Sequence, residues 1–274
     1  MKGWRWIAPA LVVVLLVTVV PIGRAVWTSL HRSTLTAPDD RRFIGLDNYT
    51  DLLSSRTWWL AVAATLTVVV LVVALQLVLG MAFAVALRRL GVAWPVTRVL
   101  VLLPFGMLAI VSAVVWRDAV TTGFAASWFD LDDVGPVGSL VAVSAGEVWR
   151  GTGITAVILL AGLLRVPSTL MASAIADGAT ARQRVTRVVL PAMAPAIAVA
   201  VTYRALDAFR ILEGPLVVDR PGATSTRTAP FLVWDTTFTS YEIGLGAAMS
   251  IVLLLLAGLI AAFLVPVLRV RRVV

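Results

Sequence analysis

Cysteine is absent from the 274 residues. That excludes disulfides, thiolate catalysis and cysteine metal sites. Histidine occurs once, as His31, in a polar stretch where it reads as a solvated loop residue. A histidine-built metal site or catalytic triad therefore has too few ligands, and no metal site is expected. Lysine also occurs once, as Lys2, so no Walker A lysine can stand elsewhere and the chain is not itself a P-loop ATPase. Charge is scarce: 14% of residues against 60% hydrophobic ones, with a mean hydropathy of +0.96. A soluble domain is about 45–50% apolar, so the chain reads as an integral membrane protein. Internal repeats and low-complexity tracts are lacking too. The longest polar segments, roughly 25–30 residues, are too short for a separate soluble domain.

What is present is a series of long apolar runs. A spanning helix needs about 20 mostly apolar residues. Six spans are predicted, at 6–30, 57–87, 97–118, 137–164, 188–210 and 243–268, the fourth interrupted by Glu147 and Arg150. The fold class is all-α, a single transmembrane domain over 1–274. The net charge of +8 could suggest nucleic acid. The cations instead gather at the ends of apolar runs, as topology signals do, so lipid and not nucleic acid is the expected partner. Alternate loops carry +11 on one side and −4 on the other. The positive-inside rule then makes both termini cytoplasmic. The first run, with its basic start, could be a signal peptide. No small-x-small cleavage site follows it, and it is read as an uncleaved helix. Trp58, Trp59, Trp94, Trp116 and Trp128 lie near span ends, where an aromatic belt would have them. Pro104 and Gly106 mark a kink in the third span. Gly244, Gly246, Ala247 and Ala248 allow close helix approach.

One polar stretch, 171–191 (MASAIADGATARQRVTRVVLP), interrupts these runs. Leu170, Met171, Ala174 and Ile175 share a face at helical spacing. Asp177-Gly178 breaks that helix, because glycine tolerates backbone angles forbidden to a side chain. Thr180 can cap a second short helix that stops before Pro191. The expectation is a helical hairpin at 165–191 with an apolar knob (Met171, Ala174, Ile175) and a cationic second arm.

Two charged clusters fall inside spans: Glu147, Trp149 and Arg150 in the fourth, and Tyr203, Arg204, Asp207 and Arg210 in the fifth. At about 1.5 Å per residue, Glu147 stands roughly 27 Å from Arg165, and Asp207 roughly 28 Å from Val188. The clusters thus share one height in the outer third of the bilayer. Intramembrane charges are functional suspects by default. Two readings stand together: a neutralising salt-bridge network, and the lining of a cavity for a polyhydroxylated solute.

The 171–191 stretch resembles the coupling ("EAA") loop of ABC-importer permeases. Ala172, Ser173 and Ala174 stand at the Glu-Ala-Ala positions. Asp177-Gly178-Ala179 matches the form common in sugar importers, Val188 takes the isoleucine position, and Leu190-Pro191 matches the terminal pair. The departures are Ala172 for Glu and Val185 for an aromatic. Phe43-Ile44-Gly45-Leu46-Asp47-Asn48-Tyr49 resembles the "hGLxNY" signature after the first helix of sugar-importer permeases. The strings from Glu147 to Arg150 and from Ala205 to Arg210 are similar to disaccharide-importer permeases of mycobacteria, the trehalose importers in particular.

That resemblance implies the ABC-importer permease fold with cytoplasmic coupling helices, in the cytoplasmic membrane. It implies a non-enzymatic permease subunit importing a sugar, such as trehalose. The implied partners are a second homologous permease, two ABC ATPases that bind the ATP and Mg, and an extracytoplasmic solute-binding lipoprotein. Residues 171–175, 177–179, 188, 190 and 191 would meet an ATPase. Glu147, Trp149, Arg150, Tyr203, Arg204, Asp207 and Arg210 would line the solute path. A secondary transporter, or a lipid-linked-sugar enzyme with Asp130, Asp132 and Asp133 as metal ligands, remains the alternative.

Overall fold

The computed structural model describes residues 4–37, 39–89, 95–121, 136–218 and 227–267. Nearly all of them are helical, because uninterrupted apolar runs satisfy their backbone groups internally only as helices in lipid. The chain divides into two compact units, Met1–Ala63 with Thr228–Ala257, and Ala64–Arg227 with Gly258–Val274.

In the first unit, α1 (Trp4–Ser29) leads into a two-residue antiparallel ladder, β1 (His31–Arg32) with β2 (Arg42–Phe43). Gly45, at φ +60°, turns the chain into α2 (Asp47–Ser54). The turn places Asn48 beneath the end of α1. Its Nδ2 donates to the Ser29 carbonyl at 2.7 Å and the His31 carbonyl at 3.1 Å. The Tyr49 hydroxyl meets Ser29 Oγ at 2.6 Å. The Phe43–Tyr49 signature thus clamps the Ser29 carbonyl that α1 leaves unpaired at its C-terminus and the His31 carbonyl just beyond it. His31 is not the solvated loop residue expected. It is buried between the Trp27 and Phe43 rings, with Nδ1 2.7 Å from the Trp27 carbonyl. Trp58 departs from the belt reading as well, being fully buried beside Leu52, Ala61 and Met249. Trp59 remains exposed, as a belt residue should. Trp94 and Trp128 lie outside the described residues. At the start of α10 (Ile243–Val267), a side chain at Gly244 would overlap the His31 carbonyl, which is the close approach the small residues allow.

In the second unit, α3 (Arg56–Arg89, entering it at Ala64), α4 (Pro95–Gly106), α5 (Ala109–Thr121) and α9 (Leu190–Phe209) surround α6 (Pro136–Leu164). Ala84, Leu87, Leu159, Leu163 and Met193 form its core. The kink expected at Pro104–Gly106 is a break: α4 and α5 meet at 92°. Among the described residues, five helices are long and apolar enough to cross a membrane, and there is a sixth if the bent pair counts as one span. Glu147 and Arg150 do not interrupt α6. Their charges are neutralised by neighbours and cost the helix no backbone bond.

Candidate functional site

The hairpin at 165–191 forms as its local chemistry dictates. α7 (Ser168–Ala176) begins after Pro167 and ends in a Schellman motif: Gly178 N–H donates to the Ile175 carbonyl and Ala179 N–H to the Ala174 carbonyl, each at 3.0 Å. That motif requires a left-handed residue, and Gly178 has φ +74°. Thr180 then caps α8 (Ala181–Arg184) in a capping box with Gln183. The second arm does not stop before Pro191. It runs through a π turn, Val185–Val189, directly into α9. The Leu190 N–H reaches back five residues to the Val185 carbonyl. This wider turn lets the helix pass a proline that can neither donate a hydrogen bond nor tolerate a close carbonyl.

The expected knob is redistributed. Ala174 is buried and Met171 half-buried, whereas Ile175 and Leu170 stand exposed, 54% and 49% accessible. Ala172, Ser173, Asp177 and Gly178 share that exposed side, with Ala179 partly covered. Val188, Leu190 and Pro191 belong to the π turn and the first turn of α9.

At the other end of α9 the structure draws five of the predicted residues into one ion-pair network. Arg150 binds Glu147 through two bonds, Nε to Oε1 at 3.2 Å and Nη2 to Oε2 at 2.9 Å. The same Nη2 lies 3.4 Å from Asp207 Oδ2. Arg204 reaches that oxygen through Nη1 at 2.5 Å, and Glu147 through Nη2 at 3.6 Å. Arg210, largely solvent-exposed, touches Asp207 Oδ1 at 3.5 Å. Arg204 is wholly buried, and its Nη2 has no hydrogen-bond partner within bonding distance. The inner four charges cancel, which is how buried ions are tolerated at all.

One member was missed from sequence. Gln76 on α3, fully buried, accepts from Arg204 Nε at 2.7 Å and donates to the Glu147 carbonyl at 2.6 Å. It is the one polar side chain other than threonine in an apolar run of some thirty residues, and that was the available signal. The two aromatic candidates are not part of the network's core. Tyr203 is 40% exposed beside Arg204. Trp149 points to the opposite face of α6, where it meets Trp116 at 6.4 Å between ring centroids. Phe105 lies instead under Arg150, 5.7 Å from its guanidinium carbon.

The arrangement offers carboxylates and guanidinium groups, with Arg204 Nη2 left without a hydrogen bond, at matched height on two helices. Carboxylates and guanidinium groups are able to hydrogen-bond hydroxyls. Among the described residues there is no group of three or more acidic, histidine or cysteine side chains that could hold a metal. Asp130, Asp132 and Asp133 lie outside the described residues.

No family model matches the chain. It is 39% identical over 252 residues to the trehalose transport system permease protein SugA of Mycobacterium tuberculosis, covering 90% of this chain and 82% of that protein. It is 29% identical over 279 residues to the trehalose/maltose transport system permease protein MalF of Thermococcus litoralis, covering 98% and 93%. Its fold matches that of a bacterial ABC transporter involved in the import of the acidic polysaccharide alginate, with a TM-score of 0.77 over 98% of this chain and 96% of that one, at 20% identity.

Proposed function

The chain belongs to the carbohydrate-uptake permeases of ABC importers, and from that membership we propose how it works. It is a multi-pass protein of the cytoplasmic membrane and a transmembrane subunit of an ATP-driven sugar importer. Its solute is trehalose or a closely related disaccharide, the solute class for which the Mycobacterium and Thermococcus relatives are named. The 274 residues act as one permease domain with both termini in the cytoplasm. The 165–191 hairpin then faces the cytoplasm and seats in one of two ATPase subunits, which hold the ATP and Mg. A homologous permease completes the path, and an extracytoplasmic solute-binding protein delivers the sugar.

The observation that carries this reading is the unbroken rod from hairpin to network. The chain runs without a loop from Ala181 through the π turn to Phe209. Motion of the hairpin is therefore delivered to Arg204 and Asp207, roughly 28 Å away at 1.5 Å per residue. Leu170 and Ile175 supply the contact, and the Schellman turn holds their angle to the rod. Nucleotide and loaded binding protein bias the equilibrium between inward and outward states. The network, with Tyr203 beside it, lines the path and exchanges its internal partners for sugar hydroxyls as the states interconvert.

The test is Gly178→Asp. The variant is expected to insert and assemble, with uptake of labelled trehalose lost. Uptake at the wild-type rate would show that the hairpin is not the coupler. Nothing in the comparisons favours a secondary transporter or a lipid-linked-sugar enzyme.

A further inference from the structure

On the face of α6 turned away from the ion pairs, an open groove of about 720 Å³ lies against α3, α4 and α5. Leu71, Leu75, Leu79 and Phe83 form its α3 wall at four-residue spacing, each 40–48% exposed. The lining is almost wholly apolar, so the groove offers a sugar almost nothing in place of its hydration. Its hydroxyls are few. That of Thr152 is spent on the Val148 carbonyl at 2.6 Å. That of Ser144, only 4% exposed, has no partner.

Position identifies what Ser144 awaits. It stands 21 residues from Arg165, roughly 31 Å along α6. The hydrocarbon core is about 30 Å thick, so Ser144 lies at the outer boundary, the depth of lipid ester groups. The rest of the groove extends from there into the hydrocarbon. A neighbouring transmembrane helix would fill apolar space, but its backbone carbonyls are already bonded within the helix. A phospholipid supplies both parts, an apolar chain and an acceptor oxygen at its head. We propose that this groove holds one acyl chain of a membrane phospholipid, whose ester carbonyl accepts the Ser144 hydroxyl. The inference rests on the membrane location and the orientation proposed above, and is independent of the solute.

The full transporter, reconstituted in vesicles of dioleoyl phosphatidylcholine and re-extracted in detergent, is expected to retain phosphatidylcholine through washing, read by native mass spectrometry. Ala145→Phe, which fills the groove, should reduce retention at least fivefold. Ser144→Ala, which fills nothing and should fold normally, should reduce it severalfold. Wild-type transporter without bound lipid, or retention in both variants equal to that of the wild type, overturns the proposal. The chain has no cysteine, so Thr152→Cys introduces a unique thiol. Efficient photo-cross-linking from a benzophenone maleimide attached to it, which inserts into C–H bonds of whatever lies in the groove, to the second permease would assign the groove to a subunit contact and overturn the proposal too.

Discussion

Gly151 on α6 and Arg204 on α9 compete for one space: a methyl group at position 151 would overlap the Arg204 guanidinium at Nη2 and the Gln76 amide. The wholly buried arginine exists because its neighbour has no side chain. Gly151→Ala should therefore force Arg204 off its partners. Overpacking costs about 1–3 kcal/mol, and parting a buried ion from its partner about 3–5 kcal/mol. The expected loss is about 3 kcal/mol, seen as a drop in thermal stability of the purified complex. An unchanged melting profile would mean that the network tolerates displacement of Arg204.

Part of this site was legible before any coordinates. Counting 1.5 Å per residue placed Glu147 and Asp207 at one height, and they do share Arg150 and Arg204. Gly178 and Thr180 announce a left-handed turn and a cap through local chemistry, and both occur. What failed depended on distant partners. Gln76 bonds residues 71 and 128 positions away, and no local period marks that. His31 is enclosed by Trp27 and Phe43, brought together by the β1–β2 ladder. Pro191 reads as a stop because proline breaks an α-helix, and a π turn is the exception that spacing alone does not reveal.

At Gly178 the prediction is graded. A left-handed backbone costs a residue bearing Cβ roughly 1–2 kcal/mol, less for asparagine, whose side chain can bond locally. β-branched residues fare worst. Transported sugar per ATP hydrolysed should fall in the order Gly178, Gly178→Asn, Gly178→Ala, Gly178→Val, with assembly retained. Equal ratios across the series would separate coupling from the Schellman geometry.

Asn48 is a structural prediction in the other unit. Its amide serves two carbonyls at the end of α1. Asn48→Ala removes both donors and should cost about 1–3 kcal/mol. Asn48→Asp should be worse, since an anion would face two carbonyl oxygens. Limited proteolysis between α1 and α2 should accelerate in that order. Protection equal to wild type would show that the clamp is dispensable.

Whether the ion pairs carry solute or only hold helices together is decided by removing charge in pairs. Asp207→Leu alone leaves Arg150 and Arg204 sharing the single carboxylate of Glu147, and Arg204→Leu alone leaves Glu147 and Asp207 sharing Arg150; each should cost about 3–5 kcal/mol and lower complex yield. The double variant Arg204→Leu/Asp207→Leu removes both charges. Arg150 keeps its two bonds to Glu147, and the exposed Arg210 is solvated without Asp207. The remaining structural cost is the Gln76 oxygen that loses its donor, about 1–3 kcal/mol. Yield should therefore recover most of the way. Uptake should not, because the groups proposed to exchange partners with sugar hydroxyls are gone. Recovery of yield and trehalose uptake together would reduce Arg204 and Asp207 to helix fasteners and move the solute path elsewhere.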